Sequence, residues 1–362
     1  MGRTLVAAIV ALGYTFALPV AAQNADDVRV RVSGRVQIQF NTTSIDDDDL
    51  DPSEPIAAST FETRRVRLTV DVAVRDWITG IMEPEFALGE LSLRRAYVDL
   101  GIDDAFALRV GQFKKPFSLV FLTSSLETVT IERGLRIRGL EEAYARSDAG
   151  AGVWGGIPSE EHELLDALGY LAYELGAAAH GELGPVAYEI GVFNGAGQDE
   201  RDTNDGKSFA GRAVVGVGET PLALGGAFSY REAGTGESVG GTAFSVDAEW
   251  GAFREAGLHL VAEAVTGENM AVDERFRAAH AMAGWFRPVG GRRIEGVEGV
   301  ARVSWADPNL EIDGDAGVLL TPGINVYFVG RNRLMLNWDV FIPQGDAFET
   351  EQTLRAQAQL AF

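Results

Sequence analysis

The apolar residues of this chain recur at every second position in one segment after another. Val28, Val30, Val32, Val36, Ile38 and Phe40 alternate with Arg29, Arg31, Ser33, Arg35, Gln37 and Gln39. Val66, Leu68, Val70, Val72 and Val74 alternate with Arg65, Arg67, Thr69, Asp71 and Ala73. Ile78, Met82 and Phe86 oppose Glu83 and Glu85, and Leu334, Leu336, Trp338, Val340 and Ile342 oppose Arg333, Met335, Asn337 and Asp339. A period of two is the pattern of strands, whose side chains point alternately to two faces. In a water-soluble sandwich the sheets meet around a dry core. Charge on one face and branched apolar residues on the other fit a membrane barrel with a polar lumen and a lipid-facing band.

The connections support this reading. Arg75-Asp76, Gly181–Pro185 and Gly330-Arg331 mark tight turns, whereas Asn41–Thr60, Asn194–Lys207 and Pro343–Glu351 are long, polar and acidic. Bacterial barrels place short turns in the periplasm and long loops outside. Segmentation by alternation gives 16 to 18 strands, with Glu127–Asp148 unassigned.

The two ends sharpen the class. A basic Met1–Arg3, an uncharged apolar stretch Leu5–Leu18 and the small residues before Gln23 predict a signal peptide over 1–22. The stretch is too short for a bilayer span, which takes about 20 residues. The barrel then occupies 23–362. At the other end Leu354, Ala356, Ala358, Leu360 and Phe362 share one face, opposite Arg355, Gln357 and Gln359. A terminal aromatic on such a strand resembles the assembly signal of outer-membrane barrels. The expectation is a Gram-negative outer-membrane protein, exported through the periplasm, in contact with outer-membrane lipid, lipopolysaccharide and the barrel assembly machinery.

Composition removes other classes. The chain has no cysteine, which excludes disulfides and thiolate metal sites. His162, His180, His259 and His280 show no ligand spacing. No nucleophile elbow, metal cluster or phosphate-cradling loop is present, so neither an enzyme nor a cofactor is expected. The net charge of −22 argues against nucleic acid. The runs Asp46–Asp49 with Asp51, and Asp199, Glu200, Asp202 and Asp205, read as solvated loops, with divalent cations as an alternative.

Residues 61–133 are more specific. They include Phe61-Glu62-Thr63-Arg64-Arg65-Val66-Arg67-Leu68, Ala96-Tyr97-Val98-Asp99, Gly111-Gln112-Phe113-Lys114-Lys115-Pro116-Phe117-Ser118-Leu119, Leu122-Thr123-Ser124-Ser125 and Glu132-Arg133. With Gly191-Val192-Phe193-Asn194-Gly195, Ala210-Gly211-Arg212 and the strands from Leu320 onward, this stretch resembles the phosphate-selective porins. The resemblance implies an all-β transmembrane antiparallel barrel of 16 strands, a homotrimer, and a segment after Phe113 folded inward as a constriction loop. It also implies a water-filled channel for small anions such as phosphate or polyphosphate.

Alternation places Arg65, Arg67, Arg95 and Arg109 in the lumen, and Lys114 and Lys115 stand in the inward loop. These six and Arg133 are the candidate constriction and anion-binding residues. Arginine offers phosphate a planar fork and lysine a point charge. Rings of such groups give pores anion selectivity. Arg65 and Arg67 have a second reading, as structural partners of Asp71, Glu83 and Glu85. Segment 61–146 holds 13 basic and 13 acidic residues, so the negative excess lies elsewhere. That excess keeps two alternatives open: a general or cation-preferring porin, and a surface barrel with a blocked lumen and a structural or adhesive role.

Overall fold

The computed structural model describes residues 28–45, 59–89, 91–133, 165, 168–233, 239–269, 274–314, 316–345 and 350–362. The segment 1–22 expected to be a signal peptide, the acidic run at 46–51 and residues 134–148 lie outside these.

Sixteen strands run through the described residues. They are β1 (Val28–Ile45), β2 (Ser59–Val74), β3 (Ile78–Glu85), β4 (Ser92–Asp103), β5 (Phe106–Lys114), β6 (Tyr173–Leu183), β7 (Val186–Phe193) and β8 (Ser208–Gly216). After these come β9 (Leu222–Ala233), β10 (Val239–Trp250), β11 (Gly257–Asn269), β12 (Glu274–Pro288), β13 (Gly296–Asp307), β14 (Gly317–Tyr327), β15 (Arg333–Pro343) and β16 (Glu351–Ala361). Each pairs antiparallel with its sequence neighbours, and β1 pairs with β16 to close the barrel. The count is therefore sixteen, and the eighteen-strand alternative falls away. Closure leaves no unpaired edge, which a lipid-embedded sheet requires because lipid offers backbone groups no partner.

The faces follow the alternation. Val30, Val32, Leu334, Leu336 and Trp338 are exposed on the outer wall. Gln37, Gln39, Thr69, Asn337 and Asp339 are buried inside. Most exposed aromatics lie toward one end of a strand or the other, with Trp338 and Phe244 nearer the middle. Trp77, Phe106, Trp250 and Trp285 lie toward the short-turn end, and Phe61, Phe86 and Phe209 toward the other. Such girdles mark the two membrane interfaces.

At the seam, Gly34 N–H donates to the Phe362 carbonyl (3.0 Å) and Phe362 N–H donates to the Gly34 carbonyl (3.2 Å). The Phe362 ring covers the place where a Cβ on residue 34 would stand.

The lumen departs from the expected polar interior. Phe117, Phe121, Leu165, Leu168, Tyr170, Leu171 and Tyr173 pack against inward-facing Ala243, Val265, Phe276, Ala278, Ala306, Leu319 and Phe341. Six of the sixteen strands, β10 to β15, thus support an apolar core inside the barrel. The inward positions there are apolar because they meet chain, not water.

Candidate functional site: a basic cavity in the lumen

β5 ends at Lys114 and the chain turns inward, with Lys115 N–H donating to the Ala172 carbonyl at 3.0 Å. Pro116 has no N–H to continue a ladder. A one-turn helix, α1 (Leu119–Leu122), follows. Its N-cap Ser118 has φ 64°, in the left-handed region. The carboxylate of Glu263 on β11 holds that turn. It accepts from Ser118 Oγ (3.0 Å), Leu119 N (3.0 Å) and Val120 N (3.4 Å).

Further along, Gln37 Nε2 donates to the Ser125 carbonyl at 3.0 Å, and Asn325 Nδ2 donates to the Val129 carbonyl at 2.8 Å. Ile131 N–H donates to Asn337 Oδ1 at 2.7 Å, and Arg302 Nη1 donates to the Glu132 carbonyl at 2.6 Å. The segment therefore crosses the lumen, stitched to β11, β13, β14, β15 and β1, as the inward-loop expectation required.

What the loop leaves open is a cavity of ≈ 200 Å³ against β1 to β7. Arg35, Arg67, Arg95, Arg109, Arg133 and Lys114 line it, with Glu83 and Glu189. Tyr97, Phe113, Tyr173, Leu122, Ser124 and Ser125 complete the wall. Register explains the convergence. Arg35 faces Arg67 across β1 and β2, Glu83 faces Arg95 across β3 and β4, and Asp99 faces Arg109 across β4 and β5.

The arginines are held by carboxylates. Glu83 accepts from Arg95 (2.7 Å) and Arg35 (3.2 Å) and lies 3.6 Å from Arg67. Arg67 Nε donates to Glu85. Arg109 donates through Nε and Nη2 to Asp99 (3.0 and 2.8 Å) and through Nη1 to Glu189 (3.2 Å). Arg133 donates to the carbonyls of Val120 (2.9 Å) and Thr123 (2.8 Å).

Of the seven predicted constriction residues, five line this cavity: Arg67, Arg95, Arg109, Lys114 and Arg133. The other two do not. Arg65 is buried, donating to Gln37 Oε1 (3.1 Å) and Glu132 Oε2 (3.2 Å), so its partner is none of the three acids named from the sequence. Lys115 is 1% exposed, with Nζ 3.5 Å from Glu174 and donating to the Gly169 carbonyl. Lys115 therefore does not line the cavity. Lys114 alone reaches the cavity, and it gives its hydrogens to the carbonyls of Phe121, Leu122 and Thr123 at the end of α1. An ammonium there satisfies carbonyls that the helix leaves open.

Three groups were not singled out by the sequence reading: Arg35, Glu189 and the aromatic wall. Arg35 and Glu189 sit at inward positions, so alternation alone could have found them. Arg64 and Arg94 were hidden by bulges. The β1–β2 register skips Arg64, and the β3–β4 register skips Arg94. A bulge re-aims the extra side chain. Arg64 reaches Glu132 at 2.7 Å and Arg94 reaches Gln198 at 2.8 Å.

The described part of the second acidic run folds back onto the barrel. Asp199 accepts from Gln112 Nε2 and Leu93 N, both at 2.9 Å. Burial pushes its carboxyl up, yet these bonds and one from Gln198 hold it below the usual aspartate range. Among the described residues no group of three or more His, Asp or Glu is placed to hold a metal ion.

The barrel has the fold of solved porins. An anion-selective porin from Comamonas acidovorans superposes with a TM-score of 0.62 at 14% identity, covering 92% of this chain and 100% of that one. OmpF of Salmonella typhi gives 0.57 at 11% identity, with 93% and 99% covered. The outer-membrane channel DcaP of Acinetobacter baumannii gives 0.55 at 12%, with 94% and 99% covered. No curated protein matches the sequence. The family model of phosphate-selective porin O and P matches residues 30–285, most of the chain. With sixteen closed strands and an inward loop, this chain is an outer-membrane porin of a Gram-negative bacterium and belongs to the phosphate-selective porin O and P family.

Proposed function

We propose that this porin passes small anions, phosphate among them, by passive diffusion through the basic cavity. The observation that carries the reading is the convergence of five arginines from β1, β2, β4, β5 and the loop on one cavity that, among the described residues, only two carboxylates line. A passing anion exchanges with Glu83 or Glu189 for guanidinium hydrogens, so capture and release are both shallow. A conducting site needs that balance. Distant acidic residues act weakly here, because the screening length is about 8 Å at physiological salt. Phosphate as a solute rests on the family's name, and a homotrimer is proposed with it. One related barrel, OmpT of Vibrio cholerae, is described in a trimer form.

Bilayer recordings test this. In a tenfold KCl gradient the reversal potential should have the sign for chloride. Arg109→Glu with Arg95→Glu should move it toward potassium. A potassium preference in the unaltered protein would identify the acid-rich remainder as dominant and refute the reading. Absence of any steady conductance would instead favour the blocked, structural barrel.

A further inference from the structure

We infer that the β12–β13 hairpin carries, on the outer face of the barrel, a site for an anionic glycerophospholipid of the periplasmic leaflet.

The first observation is positive charge gathered against the trend of the chain. The net charge is −22, and the other short connections carry acid, no charge, or an arginine beside an acid. Asp104 and Glu219 stand in two of them, Arg75 is followed by Asp76, and Arg331 lies 2.5 Å from Glu127. The turn 289–295 holds Arg292 and Arg293, and Arg287 precedes it at the end of β12. All three are exposed, and none makes a hydrogen bond or ion pair with a described residue. The acid of this turn, Glu295, is already engaged, accepting from Arg254 Nη2 at 2.6 Å. Three guanidinium groups at one hairpin are thus left without a counter-charge among the described residues.

The second is what lies on the membrane side of them. Met282 and Phe286 point inward and are buried, so parity sets Trp285 and Arg287 on the lipid-facing side of β12, about 7 Å apart along the strand. Trp285 is exposed at the short-turn interface, and Arg287 stands beyond it at headgroup level. Aromatic and basic residues meet a bilayer surface in that order. In register, Trp285 faces Gly299 on β13, and Gly299 faces Ile324 on β14. A Cβ on residue 299 would meet no atom within 4 Å. The lipid-facing wall is therefore lowered between the exposed Trp285 and Ile324, and this furrow runs toward Arg287. Val289 and Ile294, also exposed, give the turn an apolar side to set against acyl chains.

An acyl chain lies along the furrow, and the phosphate of its headgroup meets the arginine forks, each able to donate two bonds at once. Phosphatidylcholine brings the same phosphate but cancels its charge with choline, whereas an anionic headgroup keeps it. A soluble anion would use the arginines and leave the ring and the furrow idle.

The test is native mass spectrometry of the purified full-length barrel in detergent, with dioleoylphosphatidylglycerol or dioleoylphosphatidylcholine added at equal concentration. Each arginine near a bilayer surface strengthens anionic-lipid binding by about fivefold. Phosphatidylglycerol should be retained about tenfold or more over phosphatidylcholine. Arg287→Gln, Arg292→Gln and Arg293→Gln combined should bring the ratio near one, and Trp285→Ala should lower retention of both lipids, with heat-modifiable mobility reporting that each barrel is closed. Equal retention of the two lipids by the unaltered protein overturns the inference. So does a ratio that the arginine variant leaves in place, or a retention that Trp285→Ala leaves unmoved. Displacement of the lipid by millimolar inorganic phosphate would identify a site for the free anion. Retention on purified peptidoglycan that the arginine variant abolishes, with the lipid ratio unmoved, would identify an anionic polymer. Either result also overturns it.

Discussion

Glu263 is the point where the far wall of the barrel holds the constriction loop, and removing it should loosen α1 alone. Its carboxylate is 2% exposed and accepts three hydrogen bonds from residues more than 140 positions away. Hydrogen bonds to a charged group contribute about 1.5–3 kcal/mol each. They share one acceptor, and alanine also relieves a buried charge, so a net loss of about 3 kcal/mol is a fair working value. That raises the detached population of the turn by about a hundredfold, since 1.4 kcal/mol is tenfold. The rest of the loop keeps its bonds to Asn325, Asn337 and Arg302. The chain has no cysteine, so Val120→Cys, at a site 2% exposed, gives one clean reporter. In the Glu263→Ala background its labelling by a small thiol reagent should accelerate about a hundredfold, with added open-channel noise. Acceleration of less than threefold, with quiet current, would show that the apolar contacts of the loop hold it without the carboxylate.

Lys115→Ala should lower stability by about 3–5 kcal/mol, because Glu174 is left buried without its cation, while reversal potentials stay put. Urea unfolding followed by gel mobility reads the first, and a shifted reversal potential would contradict the second. Lys114→Ala should weaken anion preference, since that residue does line the cavity. Gly34→Leu should crowd both the Phe362 ring and the Arg67 carbonyl across the seam and reduce the closed fraction on unheated gels. Anion preference should fall as KCl rises from 0.1 to 1 M, where the screening length shrinks from about 10 to 3 Å. For Asp199 the folded value lies below the ordinary 3.8, so its docking of the 194–207 loop holds fully above that pH. It is lost as pH falls through the lower folded value, which should appear as new proteolytic cleavage only under strongly acidic conditions.

Much of the barrel could be read from alternation, because each face meets one solvent and a period of two has no freedom within a paired strand. Arg67, Arg95 and Arg109 were found this way. Two physical facts limited the reading. At a bulge, parity breaks without a sequence mark, so Arg64 and Arg94 escaped notice. At a strand end, parity lapses altogether, so adjacent lysines could be told apart only by their partners: Lys114 by the carbonyls of α1, Lys115 by Glu174. The apolar inner wall was obscure for another reason. Phe276, Leu319 and Phe341 stand at inward positions, and only the loop packed on them explains why they are apolar.

The seam between first and last strands bears on how the channel comes into being. Gln37 on β1 and Gln359 on β16 bond each other across it at 2.7 Å. Gln37 also holds the carbonyl of Ser125, and Gln359 that of Leu126 (3.4 Å). The loop is therefore a clasp over the join. In an unclosed sheet β1 and β16 do not stand side by side, so the contacts on Ser125 and Leu126 cannot both form, and this part of the loop takes its seat only as the wall is sealed. Closure of the barrel and the final seating of the loop are thus one event at the seam.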